Sequence, residues 1–294
     1  MDVSIIIVNY NTLMMTEECI NSVFEKTKGV DFEVILVDNG STDGSKEHFE
    51  KYGRIKYIYS EKNLGFGRAN NLGALSAKGN YLLLLNSDTI LVDNIVDDMF
   101  NFMETHVEYM ACGCNLTDKM GNQVISHGLL PTLAYEMALL GVHKICPGYF
   151  RNHLSIGQKA SEGNICDTGY ISGADIFIRK NTFDKYGGFD SNIFMYFEET
   201  DLFYRMKRDG GKFCVLDGIK LIHLGGASLN TPINNKVNIN KIRIFEKSHI
   251  YYYKKNYNRS IAVLVKFILC IKALFKCGEY GHDTVKVLSI IVNS

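Results

Sequence analysis

Residues 32–43 read FEVILVDNGSTD. Phe32 to Val37 is a short, β-branched, nearly continuous apolar run, and it breaks at once into Asp38-Asn39-Gly40-Ser41. A run of that length, closed by turn formers, predicts a strand buried on both faces. The same sentence of sequence recurs around it. Ser4 to Val8 (SIIIV) ends in Asn9-Tyr10-Asn11, Ile55 to Tyr59 precedes Asn63, and Tyr81 to Leu85 (YLLLL) ends in Asn86-Ser87-Asp88. Between these runs, helical spacing is expected over about 16–27 (Cys19, Ile20, Val23, Phe24), 45–52, 64–78 and 93–106. Strands alternating with helices predict βαβ units, hence an α/β fold with a mostly parallel central sheet flanked by helices. In such sheets ligands bind beyond the carboxyl ends of the strands. Here those ends carry Asn9, Asn11, Asp38, Asn39, Asn63, Asn86 and Asp88, which predicts a polar pocket along one edge.

The rest of the chain is less regular. Residues 115–168 are weakly periodic, with His127, Pro131, Pro147 and a polar stretch from Ser155 to Asn164, and read as a partly mobile insertion. Regular spacing returns over 170–224, and 240–294 reads as a helical tail.

Composition narrows the classes. The 294 residues carry 32 Lys+Arg against 32 Asp+Glu, which excludes a broadly basic nucleic-acid binder. At 46% hydrophobic and 12% aromatic the chain is no disordered acidic polymer. The neutrality conceals an asymmetry. Residues 241–294 hold ten Lys/Arg and three Asp/Glu, so residues 1–240 are acidic and the tail is basic. The eight cysteines (19, 112, 114, 146, 166, 214, 270, 277) form no C-x-x-C pair, and Cys112 and Cys114 are expected on opposite sides of a strand. Reduced thiols in a cytoplasmic protein are expected. Met1-Asp2-Val3-Ser4-Ile5 has no basic secretory n-region, and no apolar run approaches the about twenty residues a membrane span needs. Ser260 to Phe275 (SIAVLVKFILCIKALF) has two readings: a helix packed on the core, or a helix lying on a membrane surface. Its basic surroundings, with Tyr251, Tyr252, Tyr253 and Tyr257, suit an anionic leaflet at the inner face of the cell membrane.

Chemistry is concentrated in an ordered series of motifs. Val37-Asp38-Asn39-Gly40-Ser41-Thr42-Asp43 follows the second strand, and Asn63-Leu64-Gly65-Phe66-Gly67-Arg68-Ala69-Asn70-Asn71-Leu72-Gly73 follows the third. Leu85-Asn86-Ser87-Asp88 closes the fourth. Later come Gly187-Gly188-Phe189-Asp190, Tyr196-Phe197-Glu198-Glu199-Thr200-Asp201-Leu202-Phe203-Tyr204-Arg205, and His223-Leu224-Gly225-Gly226-Ala227-Ser228. The glycines from Gly65 look superficially like a dinucleotide fingerprint. That fingerprint would follow the first strand and carry a third glycine, so a dehydrogenase is rejected. A nucleotidyltransferase would want a Gly-rich basic loop after the first strand, where Asn9-Tyr10-Asn11-Thr12 stands.

In this order the motifs resemble the family 2 glycosyltransferases, specifically their rhamnosyltransferase-like branch, over about residues 3–260. The resemblance implies a GT-A type domain over 1–240, with a nucleotide-sugar half (1–114) and an acceptor and catalytic half (115–240), followed by a basic helical tail (241–294). It implies nucleotide contacts from Val8, Tyr10, Asp38, Gly65, Arg68, Asn71 and Ser87. Asp38 also has a plain reading, as the opener of a turn. The resemblance places Asp88 and His223 on Mg²⁺ or Mn²⁺, with Asn86 where the family has an acid. It makes Glu199 the general base in place of the family's Asp, with Glu198, Asp201 and Arg205 in support; Asp201 and Arg205 also read as an i,i+4 helix ion pair. The implied reaction is an inverting single displacement from dTDP-rhamnose or a UDP-sugar to a lipid-linked or growing cell-surface glycan. Processive synthases of the family carry a Gln-x-x-Arg-Trp motif, and this chain has no tryptophan. An inactive nucleotide-sugar or glycan-binding protein of the same fold is the alternative, resting on Asn86 and Glu199.

Overall fold

The structure, a computed structural model, describes residues 1–154, 165–225 and 238–294. The expected polar stretch Ser155–Asn164 and the motif residues Gly226, Ala227 and Ser228 lie outside the described residues. The first half alternates as the sequence predicts: β1 (Val3–Asn9), α1 (Leu13–Lys26), β2 (Phe32–Asp38), α2 (Ser45–Phe49), β3 (Lys56–Tyr59), α3 (Phe66–Ala74) and β4 (Tyr81–Asn86). Then follow β5 (Thr89–Leu91), α4 (Ile95–Thr105), β6 (Tyr109–Thr117), β7 (His127–Gly128), α5 (Leu133–Leu139) and α6 (Pro147–Leu154). The stretch read as irregular therefore contains two helices. The chain continues with β8 (Ile165–Asp167), β9 (Tyr170–Ile171), β10 (Asp175–Arg179), α7 (Lys180–Lys185), α8 (Glu198–Arg208) and β11 (Lys212–His223). The tail is α9 (Ile239–Asn256), α10 (Arg259–Phe275), α11 (Cys277–Tyr280) and α12 (Thr284–Asn293).

Among the described residues the main sheet runs β3-β2-β1-β4-β10-β6-β11-β5, with β8 beside β11. The β3-β2-β1-β4 half is parallel. Beyond it the sheet is mixed: β10 runs antiparallel to β4 and β6, and β11 returns parallel to β6. The unbroken apolar runs have the reason the sequence suggested. Alternate side chains of one strand serve two cores. Ile5, Ile7, Leu83 and Leu85 face α1 and α4 through Ile20, Val23, Val96 and Met99. Ile6, Leu82 and Leu84 face α3 and α8 through Ala69, Leu202 and Met206. Each such burial contributes about 1.5–3 kcal/mol. Cys112 and Cys114, expected on opposite sides of a strand, sit in the same cluster, because residues two apart in a strand share a face.

The tail resolves as a third core. Tyr252, Tyr253, Val265, Leu269, Val287 and Ile291 pack together, with Leu133, Phe197 and Tyr204 against them. Phenol hydroxyls stitch it down: Tyr257 donates to the Pro131 carbonyl at 2.9 Å, Tyr253 to Thr132 at 3.1 Å and Tyr204 to Asn256 at 3.1 Å. Lys255 bridges Asp190 and Asp201 at 2.7 and 2.8 Å. One face of α10 is thus core. Its other face leaves Val263, Phe267, Leu274 and Phe275 at 65, 62, 56 and 80% exposure, so the helix is apolar on both sides. No helix among the described residues is long and apolar enough to cross a membrane.

Candidate active site

A cleft of about 310 Å³ opens beyond the carboxyl ends of β1, β2 and β4. Its lining includes Val8, Tyr10, Asn39, Asn63, Asn86, Ser87 and Asp88 from the strand ends, with His223, and Tyr196, Glu198, Glu199 and Lys241 from later in the chain. The turn between β1 and α1 is built on Asn9, whose buried Oδ1 accepts from Thr12 Oγ1 (2.8 Å) and Thr16 Oγ1 (3.0 Å), while its amide donates to Ser41 (3.1 Å). Thr12 in turn meets Ser87 at 3.1 Å, so three strand ends are locked in one frame.

Asp88 and His223 come from distant parts of the chain. The antiparallel pairing of β5 with β11 sets Thr89 opposite His223 and so brings Asp88 alongside. Asp88 Oδ1 lies 3.3 Å from His223 Nε2, and the Leu224 amide donates to the Asp88 carbonyl at 2.9 Å. Asn86 Nδ2 is 3.4 Å from His223 Nε2. One carboxylate, one imidazole and one amide suit a hard-to-borderline divalent cation that takes its remaining ligands from a diphosphate. They would not hold such an ion alone, since no group of three or more His, Cys, Asp or Glu capable of it occurs among the described residues.

Another part of the lining is a strained turn. Tyr196 and Phe197 both adopt positive φ (67° and 68°), a conformation side chains avoid. Packing holds it. The Phe66 amide donates to the Phe194 carbonyl (3.0 Å), Ser248 donates to the Met195 carbonyl (2.8 Å), and the Phe197 ring stacks on His249 at 4.6 Å. The turn delivers Glu198 and Glu199 into the first turn of α8, whose N-terminal dipole favours negative charge. One oxygen of each carboxylate, Oε2, is buried without a hydrogen-bond partner. Burial pushes the Glu199 carboxyl up to about 7, against the backbone N–H groups of Glu199 and Thr200, which pull it down. Burial, then the neighbouring Glu199 charge, raises Glu198 well above the carboxylate range. A carboxyl poised near neutrality in a cleft is equipped to take a proton.

Several residues expected at the nucleotide stand elsewhere. Asp38 is fully buried, accepting from the Ser41 amide (2.9 Å) and from Tyr57 Oη (2.9 Å), so its carboxylate holds the loop and is shut off from the cleft. Asn39 takes the lining position instead, accepting from the Leu64 amide at 2.8 Å. Arg68 is exposed on α3 and folds back onto the Leu64 carbonyl. Asn71 clamps Phe189 through both its backbone N–H (2.9 Å) and carbonyl (2.8 Å). Gly65 has φ +85°, and a Cβ there would lie 2.1 Å from the Phe194 carbonyl oxygen; the glycine makes room for protein rather than ligand. Asp201 and Arg205 form the helix ion pair at 2.9 Å, and Arg205 also donates to the Tyr186 and Gly188 carbonyls. Asn63 lines the cleft as one of the expected strand-end polar residues, and Tyr196 and Lys241 complete it without having been singled out as site residues. Tyr196 had a signal in the motif that contains it, and Lys241 had none beyond the basic tail.

Comparisons with known proteins agree with this geometry. Residues 4–160 match the family described as "Glycosyl transferase family 2". Over 205 residues the chain is 26% identical to the N-acetylglucosaminyl-diphospho-decaprenol L-rhamnosyltransferase of Mycobacterium tuberculosis, covering 65% of this chain and 66% of that protein. Glycosyltransferase GlyG of Streptococcus pneumoniae is 31% identical over 102 residues, 33% of this chain and 34% of that protein. Among solved structures, GalNAc-T7 with UDP, GalNAc and Mn²⁺ superposes with a TM-score of 0.59 at 16% identity, covering 86% of this chain and 49% of that one. S. aureus TarS 1–349 in complex with UDP-GlcNAc gives 0.55 at 16% identity, covering 95% and 73%. The structural likenesses establish the fold. The family match spans more than half of the residues, and its span carries the cleft-lining ends of β1, β2 and β4, so the chain belongs to glycosyl transferase family 2.

Proposed function

We propose that the protein is an inverting glycosyltransferase that moves a sugar from a nucleotide-sugar, dTDP-rhamnose or a UDP-sugar, to a hydroxyl of a lipid-linked or growing cell-surface glycan. The observation that carries the reading is Glu199: a carboxyl raised to about 7, with a buried, unpartnered oxygen, lining one cleft with Asp88 and His223. In the reaction the acceptor hydroxyl gives its proton to Glu199 as its oxygen bonds to the anomeric carbon. The anomeric carbon–oxygen bond to the diphosphate breaks, and the diphosphate leaves with the electron pair. By this reading Val8, Tyr10, Asn39 and Ser87, which line the cleft, bind the nucleoside. Asp88 and His223 would hold Mg²⁺ or Mn²⁺, which when bound neutralises charge on the diphosphate. Residues 1–114 serve the donor, and 115–240 with the tail serve the acceptor. The name of the mycobacterial relative, a rhamnosyltransferase of a lipid-linked N-acetylglucosaminyl diphosphate, supports the transferred sugar and the acceptor class, and the UDP-GlcNAc complex of TarS supports a nucleotide-sugar donor.

The exposed apolar face of α10, continued by Val285 and Val292 of α12, rests by this reading on an anionic membrane surface at the cytoplasmic side. Its basic surroundings supply the charge complementarity.

The test is a thermal-shift and turnover experiment with dTDP-rhamnose, UDP-sugars and Mn²⁺. Donor should raise the melting temperature, Asp88→Ala should abolish the Mn²⁺-dependent part of that rise, and transfer or slow donor hydrolysis should vanish in Glu199→Ala. A donor that binds yet is never turned over would favour the binding-protein alternative. A rise indifferent to Asp88 would remove the cation site.

A further inference from the structure

A second cavity, about 410 Å³, shares Glu199 and Tyr196 with the donor cleft. That volume lies in the range of small-molecule sites. None of its lining comes from residues 1–114; its walls are segment 129–139, Tyr170, the 196–200 turn and the tail helices. Three buried polar atoms of its lining residues have no hydrogen-bond partner: Glu199 Oε2, Glu246 Oε2 and His249 Nδ1. Native structures rarely leave such groups unpaired without cause. The last two are 3.7 Å apart, beyond hydrogen-bond reach. The other side of His249 is already satisfied, Nε2 meeting Glu136 Oε1 at 3.0 Å, and Lys272 meets Glu136 Oε2 at 3.3 Å.

The orphaned set therefore asks for both donors and acceptors, which hydroxyl groups supply together. Charge argues the same way. The carboxylates of Glu136, Glu199 and Glu246 are matched in the lining by His249, Lys272 and Lys276, so no surplus of positive charge selects an anion. Tyr135, Tyr170 and Phe245 offer ring faces, and Leu269, Val287 and Ile291 an apolar end.

Accepting the donor-cleft reading on which this rests, we infer that this cavity is the acceptor site, and that it takes a neutral sugar joined to an apolar group. The sugar hydroxyls meet Glu246 and His249, one of them reaches Glu199, and the apolar group lies against α10 and α12. The tail is then part of the active site, and acceptor choice is written in residues 129–139 and 245–291 rather than in the nucleotide half.

The experiment uses the full chain and octyl glycosides of glucose and N-acetylglucosamine, below micelle-forming concentrations, with binding measured by calorimetry. Glu246→Gln preserves shape and removes the acceptor charge; Ala273→Leu adds bulk to the wall. The nucleoside-diphosphate thermal shift serves as the folding control for each. Expected is saturable glycoside binding by the wild type, weakened tenfold or more in each variant, while the nucleotide shift persists. Glycoside affinity unchanged in both variants, or no glycoside binding by a wild type that binds nucleotide, overturns this inference alone. A wild type that binds no nucleotide overturns the donor-cleft reading, and this inference with it.

Discussion

Glu199 shows how much one carboxyl depends on its surroundings. Its raised pKa arises from burial with an unpartnered oxygen, and it fixes a pH profile. As the proposed base, Glu199 must be ionised, so kcat/KM should climb as pH rises toward about 7 and level off above it. Glu199→Gln should lower turnover by about 10²–10⁴-fold while donor still raises the melting temperature. Stability carries the opposite sign. The folded carboxyl keeps its proton above its ordinary value of 4.5, so the native state binds more protons than the unfolded chain between 4.5 and about 7, and stability falls as pH rises through that window. The Gln variant lacks this loss, so its melting temperature should exceed the wild type's at pH 8 and match it near pH 4. Identical melting curves at both pH values would mean that Glu199 is not desolvated in the folded protein. Asp38 is the contrasting residue: its strand-end position promised a ligand contact, and its bonds to Ser41 and Tyr57 make it a support of the loop.

At the scale of elements, the cleft-lining turn between Phe194 and Glu199 is held from two sides. α3 grips it at Phe66, α9 at Ser248 and His249, and the Gly187–Phe189 bend is tied to α3 by Asn71. Gly188 has φ +64°, and a Cβ there would lie 2.5 Å from Asn71 Oδ1, so the bend and its clamp require each other. Asn71→Ala removes both hydrogen bonds and should cost about 2 kcal/mol, with the loss of the buried carbonyl's donor included. Urea melts would measure it, with nucleotide affinity unchanged within about twofold. Full stability combined with lost nucleotide affinity would return Asn71 to the ligand. The His249–Glu136 pair ties α9 to α5 within a limited pH range. Burial lowers the His249 pKa, but the Glu136 carboxylate at its Nε2 and the nearby Glu246 charge outweigh it and the net shift is upward. Its contribution is fully present below 6.5 and fades as pH rises through the folded value. Burial raises Glu136, and His249 with Lys272 more than reverses this, so its contribution is present above 4.5 and is lost as pH falls through the folded value.

For the whole molecule, the neutral total charge divides into an acidic body and a basic tail that folds onto it. This changes how membrane association must be examined. Deleting residues 260–294 would strip the cover from Tyr252, Tyr253 and Phe197, and any loss of binding would report unfolding. Surface substitutions avoid this. Phe267→Glu with Phe275→Glu alters two side chains that are 62 and 80% exposed and should leave the melting temperature within a degree or two. The pair should abolish co-sedimentation with vesicles rich in anionic phospholipid, and binding by the wild type should weaken at high salt. Undiminished co-sedimentation of the double variant would move the membrane contact away from α10.

The parallel half-sheet was legible from short apolar runs ending in polar turns, because burial on both faces leaves that mark on any chain. Glu199, Asp88 and His223 were legible as members of an ordered motif series. Folding decided which neighbours each residue meets. Asp38 and Asn71 carry the chemistry of ligand contacts, yet long-range partners, Tyr57 in one case and Phe189 in the other, engage them first. Ser260–Phe275 could be read as packed on the core or lying on a membrane; one face of the helix is core and the other is exposed, since composition does not record which of two apolar faces is already covered. The acceptor-side cavity left no local signature, because its walls come from segments more than a hundred residues apart that meet only when the tail docks.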